Sequence, residues 1–354
     1  MKLTRRTVLT LAGLAALGIT IPACRQMLRQ MLFSPEATPA SAPPPVANPF
    51  RAGDKSLVAI VHGDDVPAMV RRAVELIGGI DRLGLRGRRT LVKPNVVSGS
   101  PPPTTTDPRV VRAVAELARA AGARPIAVGD MSAVLSLPSR PNLEQTGIAR
   151  VATEVGATLL AFDEGEWVEV RQPAAEHATT VYVAKAVHEA ECLISVPIIK
   201  THRNASFSCA LKNTVGCVHG KNKPWAYGGA AWEPVVAELN LAVRPHLFVV
   251  DGLQSMVSGG PWSGESVRTN VVLASGDPVA TDAVALGLLK AAGRSELVTG
   301  KGVWEQRQIQ RAVALGLGAR GPGDVALLDD DLVDRDRGFR TLVDSIRRSV
   351  GLQT

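Results

Sequence analysis

Lys, Asn, Asp and His recur along this chain in one kind of place, directly after a short apolar run. Lys93 and Asn95 follow Thr90–Val92, and Asp130 follows Pro125–Val128. Lys200 and His202 follow Cys192–Val196, Asp251 follows His246–Val250, and Asp277 follows Val271–Ala274. A lysine at the end of an apolar run gains nothing from its position unless it reaches an anion or a carboxylate. Once desolvated it can hold a phosphate or carboxylate, or act as a general base. The pattern therefore predicts a catalytic set of Lys93, Lys200, His202, Asp130 and Asp251. His202 would serve as the proton-transfer group or single ligand, and Asp130 or Asp251 as base or metal ligand. Asn95, Lys212 and Asn213 would bind the anionic part of a substrate, with Gly259 and Gly260 forming a loop over it. A metal ion, if one is used, would fall to His202, Asp130 and Asp251. Competing structural roles exist for some of these: Asp107 and Asp277 each precede a proline as helix caps do, and Asp130 after Gly129 suits a turn.

The densest stretch is 200–220, with Lys200, His202, Cys209, Lys212, Asn213, Cys217 and His219. The Cys and His spacings do not match the usual zinc frameworks. A Cys209–Cys217 disulfide is an option in an oxidising compartment. Phe207, Ala210 and Leu211 suggest a helix ending near Lys212 and Asn213. No Walker sequence, Gly-x-Ser-x-Gly, His-Glu-x-x-His or Cys-x-x-Cys is present and no Gly-x-Gly-x-x-Gly opens a helix, so nucleotide loops, hydrolase triads, zincins and iron–sulfur clusters lack sequence support. Asp329, Asp330 and Asp331 read as a solvated turn.

The elements that must position these residues alternate in type. Apolar runs at 57–61, 90–92, 125–128, 158–161, 192–196, 246–250, 271–274 and 325–328 read as strands. Segments 66–77, 108–121, 143–155, 232–243 and 303–315 carry helical spacing. The fold class expected is α/β, a mostly parallel sheet with helices on both faces in Rossmann-like layers. A small antiparallel insertion is expected at 168–170 and 180–183. In open sheets of this kind ligands bind beyond the carboxyl ends of the strands, where the Lys, Asn, Asp and His positions fall. Phe339, Leu342, Val343, Ile346 and Val350 share one face of a C-terminal helix, which predicts packing on the core.

The chain has 354 residues, 45% hydrophobic and 21% charged, with a net charge of +7. This excludes a disordered chain, and 4% aromatics argues against nucleic-acid stacking platforms. Residues 1–50 account for +4 of the charge, leaving +3 for the rest. Lys2, Arg5 and Arg6 precede a 14-residue apolar run, Val8 to Ile21. This is the layout of an export signal and is short for a membrane span. Thr4-Arg5-Arg6-Thr7-Val8-Leu9 suits a twin-arginine signal, making the twin-arginine translocase a partner. Ile21-Pro22-Ala23-Cys24 suits a lipoprotein box with Cys24 lipidated. The expected organisation is a signal at 1–24, a Pro/Ala-rich linker at 25–56, an α/β domain at 57–330 and an amphipathic helix at 331–354. The expected location is the periplasm or the outer face of the cytoplasmic membrane, reached through an N-terminal anchor, with no nucleic-acid partner.

Lys93-Pro94-Asn95, Thr106-Asp107-Pro108, Val128-Gly129-Asp130, Pro197 through His202, Ala210-Leu211-Lys212-Asn213 with Gly216, Asp251-Gly252 with Gly259-Gly260-Pro261 and Gly264, and Asp277-Pro278 with Asp282 occur in this order. The set resembles the domain-of-unknown-function 362 family over about 57–290. The resemblance implies a fold rather than a reaction, since the family has no settled activity. Some relatives carry a ferredoxin-like iron–sulfur segment whose Cys runs this chain lacks. A fainter similarity, to lactate racemase-like proteins, implies a nickel-pincer cofactor held by Lys and His. The function expected is an exported, tethered enzyme that binds an anionic small molecule or metal-containing cofactor at the strand ends. A non-catalytic binding protein for an anion or metal, and an envelope scaffold, are the rivals.

Overall fold

A computed structural model describes residues 22–333 and 336–353. The signal features at Lys2, Arg5, Arg6 and the apolar run lie outside the described residues. The strands are β1 (Ala37–Ala40), β2 (Arg51–Ala52), β3 (Lys55–His62), β4 (Thr90–Pro94), β5 (Ile126–Asp130), β6 (Thr158–Ala161), β7 (Trp167–Arg171), β8 (Thr180–Ala184), β9 (Cys192–Val196), β10 (Ile198–His202), β11 (Ser206–Ser208), β12 (Leu247–Met256), β13 (Ser266–Ser275) and β14 (Val325–Asp331). Eleven of them form one sheet whose main path runs β14-β3-β13-β12-β9-β4-β5-β6. Its pairs are parallel from β12 through β9, β4 and β5 to β6, and again between β14 and β3. The long hairpin β12–β13 and the β13–β3 pair are antiparallel.

Strand side chains alternate between faces, and both faces are covered. Ala59, Val61, Val92, Val249 and Val272 pack with the helices Val66–Leu76 and Pro108–Ala120. Val58, Ile60, Val250, Val271 and Leu273 pack with Pro278–Ala292 and Arg337–Val350. Burial on both sides explains why these strands read as unbroken apolar runs. The C-terminal helix buries Phe339, Val343, Ile346 and Val350, in line with its sequence spacing. Among the described residues no helix is long and apolar enough to cross a membrane.

Several local expectations change. The antiparallel pair β7–β8 forms, and β1 joins it in parallel to make a second, three-stranded sheet. Residues 25–56 are therefore not a free spacer. Residues Pro22–Leu32 are helical, Gln30 Oε1 accepts a hydrogen bond from Gly220 N at 2.8 Å, and Gln26 donates to Asp163 at 2.5 Å. The segment 143–155 is two helices, Ser139–Gln145 and Ile148–Glu154, parted at Gly147 with φ +81°. Phe207 lies in β11, so only Ala210–Asn213 is helical, a single turn. Asp329, Asp330 and Asp331 end β14 and pair with Arg347, Arg72 and His62, because each faces a cation on a neighbouring element. All four cysteines are free thiols, so Cys209 and Cys217 form no disulfide.

Candidate functional site

Each lysine of the site is carried by a rigid element. β4 delivers Lys93 and leads into Asn95, β5 ends at Asp130, and β10 delivers Lys200 and His202. Lys212 and Asn213 sit on the turn Ala210–Asn213, whose first amides donate to Asp282, Ala210 N at 2.6 Å and Leu211 N at 3.2 Å. Asp282 is buried in the helix Pro278–Ala292, and desolvation pushes its carboxyl up to about 7 despite these bonds. It fixes the turn to the core.

A chain of polar contacts links the strand ends. Lys93 Nζ lies 2.6 Å from Asp130 Oδ1, and Asp130 Oδ2 accepts from Val96 N at 2.6 Å. Lys93 Nζ also donates to Asn213 Oδ1 at 3.2 Å and Pro94 O at 2.9 Å. Asn95 Nδ2 donates to the same Asn213 Oδ1 at 3.2 Å, while Asn95 Oδ1 accepts from Lys200 Nζ at 3.2 Å. Lys200 Nζ donates further to Thr104 O at 2.9 Å. Gly216 lies against the ion pair, where a Cβ would collide with Asp130 and Lys93.

These groups border a cavity of about 460 Å³ beyond the carboxyl ends of β4, β5 and β10. Lys200, Lys212, Lys223, His202, Asn95 and Asp130 line it, with apolar walls that include Trp225, Trp232, Trp262, Met131 and Val134. Asp130 is the sole carboxylate among the lining residues, and Lys93 already neutralises it. Three lysines and Arg203 therefore face the space without an acid to balance them. Lys212 has no hydrogen-bond partner among the described residues, whereas Lys223 Nζ donates to Val215 O at 3.1 Å. Burial lowers Lys200 and Lys212 to about 7, with Lys212 adding to the effect on Lys200 and Lys223 to that on Lys212. Burial lowers Lys223 to about 8. Removing several like charges from water at close quarters weakens their hold on protons.

His202 is buried beside the ring of Trp232, 5.7 Å between centroids. Burial and the charges of Lys212, Lys200 and Arg203 push its pKa far down, so the ring is neutral. Its Nδ1 faces Asn204 N at 3.2 Å and accepts that hydrogen bond, which leaves the ring proton on Nε2. His202, a residue lining the cavity, thus keeps Nε2–H as its free donor.

Asp251 is not brought to this cavity. It accepts from Asp107 N at 2.7 Å and Leu253 N at 3.0 Å, a buried brace between β12 and the start of the helix Pro108–Ala120. A set of His202, Asp130 and Asp251 as metal ligands is therefore not assembled: Asp251 is spent on backbone amides, Asp130 on Lys93 and Val96. The His/Cys/Asp/Glu cluster that does come together among the described residues is Glu176, His177 and Glu238, where Glu238 is bound by three backbone amides and Arg311. Gly259 and Gly260 have φ of +74° and +78°. Gly260 N donates to Ser263 O at 2.8 Å, so it does not cradle an anion. Its missing side chain lets the loop lie on Thr201 and His202, which brings Pro261 and Trp262 to the cavity. Cys24, expected to carry lipid, is a half-buried thiol in the first helix.

Lys223, Arg203 and the three tryptophans escaped the sequence reading. Lys223 follows no apolar run, and tryptophans give no chemical signature in sequence; Pro224-Trp225 and Pro261-Trp262 were the available signals.

The thylakoid-associated protein sll1697 of Synechocystis sp. is 28% identical over 230 residues, covering 63% of this chain and 70% of that protein. The lactate racemase apoprotein from Thermoanaerobacterium thermosaccharolyticum superposes with a TM-score of 0.38 at 9% identity, covering 81% of this chain and 85% of that one. The family described as Domain of unknown function (DUF362) matches residues 90–287, which hold nearly every side chain of the cavity described above. The chain belongs to this DUF362 family.

Proposed function

We propose that this chain is an exported, membrane-held enzyme that binds a small organic anion in the lysine cavity and moves a proton on it. The observation that carries the reading is the excess of cations: buried Lys200 and Lys223 and half-buried Lys212 line one space whose single carboxylate is already paired with Lys93. A charge left unpaired in a dry site is costly, and an anionic ligand would remove that cost. The two best placed lysines divide the work. Lys200 reaches oxygens of Asn95 and Thr104, which favour its charged form and make it the anion anchor. Lys212, unbonded and lowered toward neutral pH by burial, supplies an uncharged amine that takes a proton from the ligand and becomes an ammonium. His202 Nε2–H and Asn95 orient the anion.

Export and tethering rest on the Arg5-Arg6 signal and Cys24, and the association in the name of the thylakoid relative is in keeping with them. Calorimetry of carboxylate and phosphate anions in buffers of different ionisation heat tests the anion site. Binding accompanied by proton uptake at pH 8 is expected, lost in Lys200→Met. Binding without a lysine dependence overturns it. Lys212→Arg keeps the charge but cannot act as a base. Turnover of a screened anion that survives in this variant overturns the proton-transfer role, and stoichiometric saturation with no turnover by the natural chain indicates a binding protein instead.

A further inference from the structure

Among the described residues, large apolar side chains are exposed at Leu297, at Leu332 and Val333, and in a larger group at or next to the cavity. Leu135 is 68% exposed, Trp262 38% and Trp225 37%, and all three line the lysine cavity. Met31 lines it too, and the next two residues, Leu32 and Phe33, are 49% and 63% exposed. The lysines lie deep and the apolar groups lie at the rim, the reverse of a pocket built for a freely soluble ion. Isolated exposed hydrophobic residues need no explanation, but a cluster around a binding mouth marks an interaction site.

The first helix adds a second constraint. It runs from Pro22 to Leu32 and reaches the mouth at Met31. Cys24 lies seven residues before Met31 in the same helix, about 10 Å along its axis at 1.5 Å per residue. The apolar run Val8–Ile21 directly precedes that helix. The segment is pinned to the body by Gln30 and Gln26 and does not swing freely. Attachment to a bilayer through either feature holds the mouth beside the lipid.

We infer that the ligand is an anionic amphiphile taken from the lipid surface, its charged head among Lys200, Lys212 and Lys223 and its apolar part along Trp225, Trp232 and Trp262. Leu135, Leu32 and Phe33 then rest on the bilayer. This rests on the anion site proposed above and names the class of its ligand. An apolar chain lying against the tryptophans removes area from water at about 25 cal/mol per Å², so affinity grows with chain length.

The test uses the full chain and a series of alkyl phosphates, from inorganic phosphate to dodecyl phosphate, read by tryptophan fluorescence. Affinity is expected to rise at least 100-fold from inorganic to dodecyl phosphate. Lys212→Met should weaken every member. Phe33→Ser should weaken co-sedimentation with phosphatidylcholine vesicles carrying phosphatidic acid, yet leave inorganic phosphate unchanged. Leu32→Ser repeats this readout at a second exposed position should Phe33→Ser fold poorly. Equal affinity for inorganic and dodecyl phosphate overturns the amphiphile but keeps the anion site. Tight dodecyl phosphate binding that ignores both Lys200→Met and Lys212→Met overturns the anion site itself. Lysine-dependent alkyl phosphate binding with no response of vesicle binding to either rim variant overturns the lipid surface as the source.

Discussion

Two corners of the same sheet edge use the same residue types to opposite ends. Where β4, β5 and β10 finish, Lys93, Asp130 and Lys200 are buried beside a cavity and positive charge exceeds negative. Where β12 passes the start of Pro108–Ala120, Asp251 and Asp107 are as well buried, but their oxygens are taken by backbone amides and Arg109. A polar residue at a strand end is therefore not a site in itself. What distinguishes the first corner is bonding capacity that no protein group uses.

Removing one side of each corner should separate these roles. Asp130→Ala strips the partner from buried Lys93 and should cost about 3–5 kcal/mol of stability, as loss of half a buried ion pair does, measured by denaturant unfolding. Asp251→Ala orphans the Asp107 and Leu253 amides at about 1–3 kcal/mol each, and its anion affinity should match the natural chain. A large affinity loss there would erase the contrast between the corners. Lys212→Met should do the converse: unfolding stability unchanged or raised, because an uncompensated half-buried amine is removed, with anion affinity down about tenfold or more, the weight of one charge-assisted bond. Equilibrium unfolding and calorimetry on the same preparation check both halves.

The pH response sharpens the comparison further. Lys200 and Lys212 fall from about 10.5 to about 7 on burial, so the folded chain binds fewer protons than the unfolded one between those values. Their contribution to the stability of the ligand-free protein therefore rises with pH from 7 to 10.5. A bound anion restores the charge on its anchor Lys200, so its affinity should decline across the same window while remaining flat below pH 7. Titration calorimetry at several pH values measures the slope. The smallest effect is expected from Asp107→Ala, about 1 kcal/mol from loss of a helix cap, with no change in anion affinity.

Much of the cavity was legible in sequence because lysines after apolar runs can only end at the rim of a parallel sheet. Lys93, Asn95, Asp130, Lys200 and His202 follow this pattern, Lys212 and Asn213 stand out by the density of polar residues at 200–220, and β4, β5 and β9 lie near their expected bounds. Asp251 falls away from the cavity because its partner, Asp107 N, stands 144 positions off in sequence, where no local pattern reveals it. Pro and Ala composition alone makes a linker of the first helix and β1, because it says nothing of docking, which depends on Gly220, Asp163 and β7.

Local sequence determined the alternation of strands and helices, their caps at Asp107 and Asp277, and the set of polar groups at the sheet edge, because periodicity and capping act over a few residues. Which of those groups remain unsatisfied was decided only by the tertiary structure. Lys93 meets Asp130 across 37 positions and Lys200 meets Asn95 across 105. Whether a buried charge is cancelled or left for a ligand depends on such distant pairings, and no local pattern encodes them.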